Sequence, residues 1–337
     1  MKRILQRLLP ALLAIVLLAY ALRGISVADI AGQFRQANYG WIAAVGLIMA
    51  LTFYIRGMRW QQVLLALGYQ PTAFRATVAF QAGVIASMIV PGSGELARCA
   101  TLQRTDGVPF AQGVGSVVAE RVIDLFMLGL LLLLTFALEV RRMQAYFSGL
   151  ALASPGTIGW WLIALVSIGG LLGLWLLRKA LQTHTVSQNR FAQKIIRAVN
   201  GLWTGFIAIR QLPHPWLFVF LTVLNQTLVW LATYWSLLAL ESTRTLPATV
   251  ALTIITVSSI GGIILPTQGG VGTFHFLASR VLVLYGFTTT NGVIIATFLH
   301  AVGFGFGLLL GSLSFLIVPY LLTARANNKQ PSAQQDN

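Results

Sequence analysis

The densest group of ionisable residues in this oily chain is AERVID, where Glu120, Arg121 and Asp124 enter an apolar run. Glu120 and Asp124 stand four apart, so in a helix they share a face. A charge at the bilayer centre costs at least ~2.5 kcal/mol on insertion scales. Three together mark either a headgroup, ion or proton site facing a bundle interior, or a structural ion pair near a membrane surface. A second group is PGSGELAR, in which Gly92 and Gly94 precede Glu95 and Arg98. A helix starting near Ser93 or Gly94 places Glu95 in its first turn, where the macrodipole favours an acid, and lets it pair with Arg98. Free amides at such a start, together with Arg98, suit a phosphate; the plainer alternative is an ordinary capped helix start. The spacing is not that of GxxxxGK[ST], so a nucleotide P-loop is unsupported.

The stretch LPTQGGVGTFHF brings Pro266, Gly269, Gly270 and Gly272 just before His275. His275 and, further on, His300 are candidate proton carriers near neutral pH, or neutral hydrogen-bonding groups. Arg56 and Arg59 in YIRGMRW lie at i and i+3, followed by Trp60, and fit a lipid-phosphate contact or an interfacial anchor. Cys99 is the single cysteine, which excludes an intramolecular disulfide, and neither CxxC nor HExxH occurs. No metal site or cofactor is expected.

These residues need a membrane scaffold to hold them. The 337 residues are 57% hydrophobic and 9% charged, with mean hydropathy +0.78, whereas soluble domains carry roughly 25% charged residues. Long unbroken apolar runs exclude an outer-membrane barrel. Six full spans are expected at about 4–22, 40–58, 113–138, 158–177, 216–240 and 292–319. Residues 1–23, with Lys2, Arg3 and Arg7 ahead of an apolar run, read as a retained signal anchor, although Ala19-Tyr20-Ala21 resembles a cleavage site. Two further apolar regions, 76–105 and 247–286, are interrupted at Pro91 and Pro266. Both read as helix-broken re-entrant hairpins; full crossing by both, giving eight spans, preserves the same outer ends.

The net charge of +15 forms no nucleic-acid motif; the bases cluster between apolar segments. With both termini cytoplasmic and both hairpins returning to their own side, sixteen of the 23 Lys and Arg residues face the cytoplasm of an inner or plasma membrane. The loop 178–215 holds no Asp or Glu and is its firmest cytoplasmic segment. Within it, 190–209 reads as an amphipathic interfacial helix, and His184 and His214 as solvated. Residues 1–323 form one transmembrane domain, and 324–337 a disordered polar tail. Pro91 and Pro266 are 175 residues apart, as are Trp41 and Trp216, while Gly107 and Gly286, like Arg121 and His300, are 179 apart. Two halves, about 1–140 and 158–320, thus read as an inverted-topology repeat with a four-residue insertion in the second copy.

Taken in order, RGMRW, IVPGSGELAR, AERVIDL and LPTQGGVGTFH resemble the lysylphosphatidylglycerol synthase transmembrane-domain family, also called flippase-like, over roughly residues 4 to 320. The family pattern is similar to PGGxGE with a following Arg, then ER-x-x-D. This chain keeps Pro91, Gly92, Gly94, Glu95, Arg98, Glu120, Arg121 and Asp124, with Ser93 varying. It departs at His275, where many members carry Glu, and at His300, where many carry Arg. The resemblance implies translocation of a lipid or handling of a lipid-linked precursor. Synthesis of a lysyl-lipid by this chain alone is not expected. The leading expectation is a flippase for an anionic lipid or polyprenyl-phosphate-linked precursor, its headgroup held at the two hairpins by Arg56, Arg59, Gly92, Gly94, Glu95, Arg98, Glu120, Arg121, Asp124, Gly269, Gly270, Gly272, His275 and His300. The alternatives are an intramembrane enzyme using His275 or Glu120 as acid or base, and an accessory subunit that binds a glycosyltransferase or lipid-modifying partner. No oligomeric state follows from the sequence.

Overall fold

A computed structural model describes residues 18, 19, 22, 26–90, 92–149 and 212–328. The expected spans at 4–22 and 158–177, nearly all of the loop 178–215, and Pro91 lie wholly or largely outside these residues. Nine α-helices and two short 3-10 turns make up the described chain, with no strand among them. The helices are α1 (Val27–Gln36), α2 (Tyr39–Ala66), α3 (Ala73–Ile89), α4 (Ser93–Asp106), α5 (Phe110–Gly149), α6 (Pro215–Leu238), α7 (Thr249–Ile264), α8 (Thr273–Leu284) and α9 (Thr289–Asn328). The protein is an all-α polytopic membrane protein.

Four helices are long and apolar enough to cross a bilayer: α2, α5 over Phe110–Val140, α6, and α9 over Thr289–Thr323. They match the four expected spans that fall within the described residues. At 1.5 Å per residue, the 28 residues of α2 reach about 42 Å and the 24 of α6 about 36 Å. The arms of the interrupted regions are shorter. α3 has 17 residues, α4 has 14, α7 has 16 and α8 has 12, so each reaches only about 18 to 26 Å. The hydrocarbon core is about 30 Å thick, so no one of these arms reaches across it alone.

Both breaks are made by backbone that a side chain disfavours. After α3 the chain turns through Gly92 at φ +75°, directly into α4. After α7 it runs through Pro266 and extended Thr267 into the 3-10 turn Gln268–Gly270, then through Gly272 at φ +82° into α8. The second break, 265–272, is thus five residues longer than the first, 90–92, and the 3-10 turn supplies three of the eight. α3 packs against α4 and α7 against α8, so each interrupted region is a true hairpin. The two hairpins also meet: α3 touches the Gln268–Gly270 turn and packs along α9, which in turn packs on α8.

Hydrocarbon provides little hydrophobic drive between helices, so close approach has to come from small residues. A Cβ on Gly83 would lie 2.5 Å from the Gly94 carbonyl oxygen, and one on Gly94 would strike Ser87 Oγ and the Gly83 carbonyl. α3 and α4 therefore touch backbone to backbone. Along the other face of α3, Cβ atoms at Gly307 and Gly311 of α9 would meet Met88 at 2.9 Å and Ile85 at 2.6 Å. Helix hydroxyls keep their bonds at home. Thr52, Thr222, Thr233 and Ser236 each donate to the carbonyl four residues earlier, at 2.7 to 3.0 Å. These four lie on α2 and α6, which pack on each other along much of their length.

The short α1 packs on α9. Its start is a capping box, in which the Asp29 amide donates to Ser26 Oγ at 3.1 Å and the Ser26 amide to Asp29 Oδ2 at 3.2 Å. Ser26→Ala is expected to cost about 0.5–2 kcal/mol, read as a lowered Tm in detergent. At the other end, α9 continues to Asn328, past the expected start of the polar tail at 324. The chain divides into two compact units, 1–120 with 211–337, and 121–210; the boundary falls within α5.

Candidate functional site

Glu120 is the hub of a buried charge network in the larger unit. Its Oε1 lies 3.3 Å from Arg59 Nη2 and accepts from Arg59 Nε, while its Oε2 accepts from Arg98 Nη1 at 2.8 Å. Arg98 Nη2 also sits 2.7 Å from Glu95 Oε2. The side chains of Arg59, Arg98 and Glu120 are at most 5% exposed, whereas that of Glu95 is 34% exposed. Two guanidinium groups here thus face one buried and one half-buried carboxylate. The Arg98 guanidinium also lies over Trp60 at 4.7 Å and Phe80 at 5.2 Å. Trp60 is held by its own bond to Ser116 Oγ, 2.9 Å. Arg98 Nε is buried without a hydrogen-bond partner. The network ties α2, α4 and the start of α5 together.

Arg59 is buried because α2 does not stop at the expected boundary near residue 58. Its charge is answered by Glu120, sixty-one positions away, so the helix continues inward. The expected start of α4 at Ser93, with Glu95 in the first turn and paired to Arg98, is found. The free amides are not: Ser93 N donates to the Val90 carbonyl and Gly94 N to Ser87 Oγ. Arg98 is engaged with carboxylates, so the first hairpin reads as a clamp and not as an open phosphate cradle. The expected grouping of Glu120 with Asp124 also divides. Glu120 turns to the two arginines, whereas Asp124 pairs with Arg121, three residues earlier, at 3.3 Å. Arg121 is 55% exposed on its side chain, and it and Asp124 open the second unit.

An open cavity of about 410 Å³ lies elsewhere in the larger unit. α2 contributes Met49, Thr52 and Arg56; α6 contributes Thr233 and Ser236; α9 contributes His300 and Phe304. Gly269 of the second break and Met88 at the end of α3 complete it, so the tips of both hairpins border the same space. Among the described residues lining it, Arg56 alone carries a formal charge, and the rest are mostly apolar. The Arg56 guanidinium lies over the Phe80 ring at 5.5 Å, and Arg98 shares that ring. Phe80 therefore links the cavity to the charge network.

The second break brings its histidines together. The His275 and His300 rings are 4.7 Å apart, and His300 also packs on Phe274 and Phe304. His275 is buried, and its Nδ1 accepts from the Gly272 amide at 3.3 Å, the N-cap of α8. His300 Nε2 is buried without a partner. Gly269 is needed where it stands, at φ +58° with a Cβ position only 2.7 Å from Phe304 Cε2. His214, expected to be solvated, is exposed just before α6. Among the described residues no group of three or more His, Cys, Asp or Glu is placed to hold a metal.

Sequence reading missed Phe80, Phe274, Phe304, Thr52, Thr233 and Ser236. Their signal was weak but present. Met49, Thr52 and Arg56 recur at i+3 and i+4 on one face of α2, and Thr233 and Ser236 do so on α6.

Comparison with known proteins settles the class. The family model described as the lysylphosphatidylglycerol synthase TM region matches residues 7–311. The chain belongs to this family. Among curated relatives, the glycosyltransferase AglD of Haloferax volcanii is 26% identical over 115 residues, which cover 34% of this chain and 18% of AglD. No solved structure matches the chain. Within this lysylphosphatidylglycerol synthase TM-region member, two features stand out among the described residues: an ionic clamp at the first hairpin and a cavity with Arg56 in its lining at the second.

Proposed function

We propose that this membrane protein is a flippase or transporter for an anionic amphiphile, a phospholipid or a polyprenyl-phosphate-linked precursor, with the headgroup in the cavity at Arg56. The observation that carries it is the lining: one guanidinium, no carboxylate among the described residues, apolar walls, and both hairpin tips at the rim. A phosphate meets its counter-charge there, while its acyl or prenyl chains meet Leu, Val and Phe surface. The order long helix, broken hairpin, long helix occurs twice, which supports reading the halves as an inverted repeat that alternates access about the hairpins. With both termini cytoplasmic, most of the basic residues face inward.

Arg56→Gln keeps a polar group at this position but removes its charge and shortens the side chain. A hydrogen bond to a charged group contributes about 1.5–3 kcal/mol, so translocation at limiting lipid should fall roughly ten- to a hundredfold. The assay is dithionite quenching of NBD-phosphatidylglycerol in phosphatidylcholine proteoliposomes. Wild-type rates no greater than those of protein-free vesicles, or unchanged rates in the variant, would sink the reading. A second reading takes its support from the similarity to AglD: the chain presents a lipid-linked sugar carrier to a glycosyltransferase. Loss of co-purification of such an enzyme on deleting residues 178–211, with flipping intact, would favour it.

A further inference from the structure

We propose that His275 and His300 form a one-proton site linked to the cavity, so that the protein takes up a proton with its anionic headgroup; this rests on the cavity reading above. The rings are 4.7 Å apart. Two imidazolium charges at that separation repel strongly, so the pair holds at most one proton and titrates as a unit. The position of that proton follows from the bonds already made. His275 Nδ1 is occupied as an acceptor for the Gly272 amide, and a proton placed there would remove the N-cap contact of α8. His300 Nε2 is bare, buried, and belongs to a residue that lines the cavity. It is the open acceptor.

Few other charges compete for the pair. α2 presents Arg56 to the same cavity. α7 carries no ionisable residue, and α6 only Tyr234. α3 carries only Arg75, bonded to Asp106 at the far end of α4. Glu95 and Arg98 of α4 are bonded to each other, and Arg280 of α8 lies over Phe276. α1, packed on α9, carries Asp29, bonded in its capping box, and Arg35. Arg56 shares the cavity lining with His300 and so opposes a second positive charge there. A phosphate bound at Arg56 reverses this sign and stabilises a protonated His300. Linkage is reciprocal, so protonation must tighten headgroup binding by the same factor.

The experiment measures proton uptake on lipid binding. The full-length protein in weakly buffered detergent, with a pH-indicator dye, is titrated with dihexanoyl phosphatidylglycerol, and binding is followed in parallel by calorimetry. The expected result is about one proton taken up per lipid bound, with affinity falling about tenfold for each pH unit across the range where uptake occurs. In His300→Gln, proton uptake per lipid bound and the pH dependence of affinity both disappear. Wild-type binding without uptake overturns the proton link alone, as does uptake that persists in His300→Gln. Absence of binding by the wild type overturns the cavity reading and this inference with it. The wild-type stoichiometry decides the matter even should the variant fold poorly.

Discussion

Replacing Glu120 by alanine is expected to cost about 3–5 kcal/mol of stability, the usual result of removing one member of a buried ion pair. The reason is what remains. Arg59 and Arg98 would stay at most 5% exposed, with their shared carboxylate gone. The measurement is unfolding in mixed micelles with increasing dodecyl sulfate, followed by tryptophan fluorescence. Replacing all three groups by apolar residues of similar size (Arg59→Met, Arg98→Met, Glu120→Leu) should recover most of the loss, because buried pairs exchanged for packed apolar groups are often near neutral. Glu95→Gln should change little, as expected of a partly solvated pair. A mild Glu120→Ala phenotype would mean that water reaches the network and that it is not a clamp.

The second large effect is expected at Gly94. Valine there places a Cβ against the Gly83 carbonyl and Ser87 Oγ. The obstacle is mainly the backbone of the facing helix, which cannot swing aside as a side chain does. The arms of the first hairpin must separate, and Arg98, one turn further along α4, moves away from Glu120 with them. Overpacking typically costs about 1–3 kcal/mol, and the coupled loss of the ion pair places this variant at the upper end or beyond. Gly115→Ala serves as the control, since a Cβ there meets nothing within 4 Å. Equal unfolding curves for Gly94→Val and Gly115→Ala would refute the close contact.

These two sites show what the sequence disclosed and what it concealed. Apolar length alone located α2, α5, α6 and α9, because hydrocarbon thickness sets a minimum run. Proline and glycine located both breaks, because a membrane helix has no other cheap way to stop. The end of α2 was concealed. Arg59 reads as a surface charge until Glu120 is known to stand beside it, and no local pattern encodes a partner 61 residues away. Glu120 and Asp124 share a helix face by spacing, yet different partners claim them. Two features were legible but unread: the Ser26–Asp29 capping box that starts α1, and the GxxxG spacing of Gly307 and Gly311 against α3. The cavity was not legible as a unit. Its lining comes from five helices and a turn, and only Arg56, Gly269 and His300 differ in character from ordinary span residues.

The hydroxyls of α2 and α6 carry a mechanical consequence. Thr52, Thr222, Thr233 and Ser236 each close their bond within their own helix. Displacing α2 along α6 by part of a turn would rupture none of these four bonds, although the Asn38 amide, bonded to the Ala239 carbonyl at 2.8 Å, pins the two helices together at one end. Beyond that end bond the seam offers little resistance to shear, since its dispersion contacts re-form after each step, while the ionic clamp anchors the far end of α2 to the first hairpin. Shear confined to that seam would widen or narrow the space beside Arg56 without loosening the clamp.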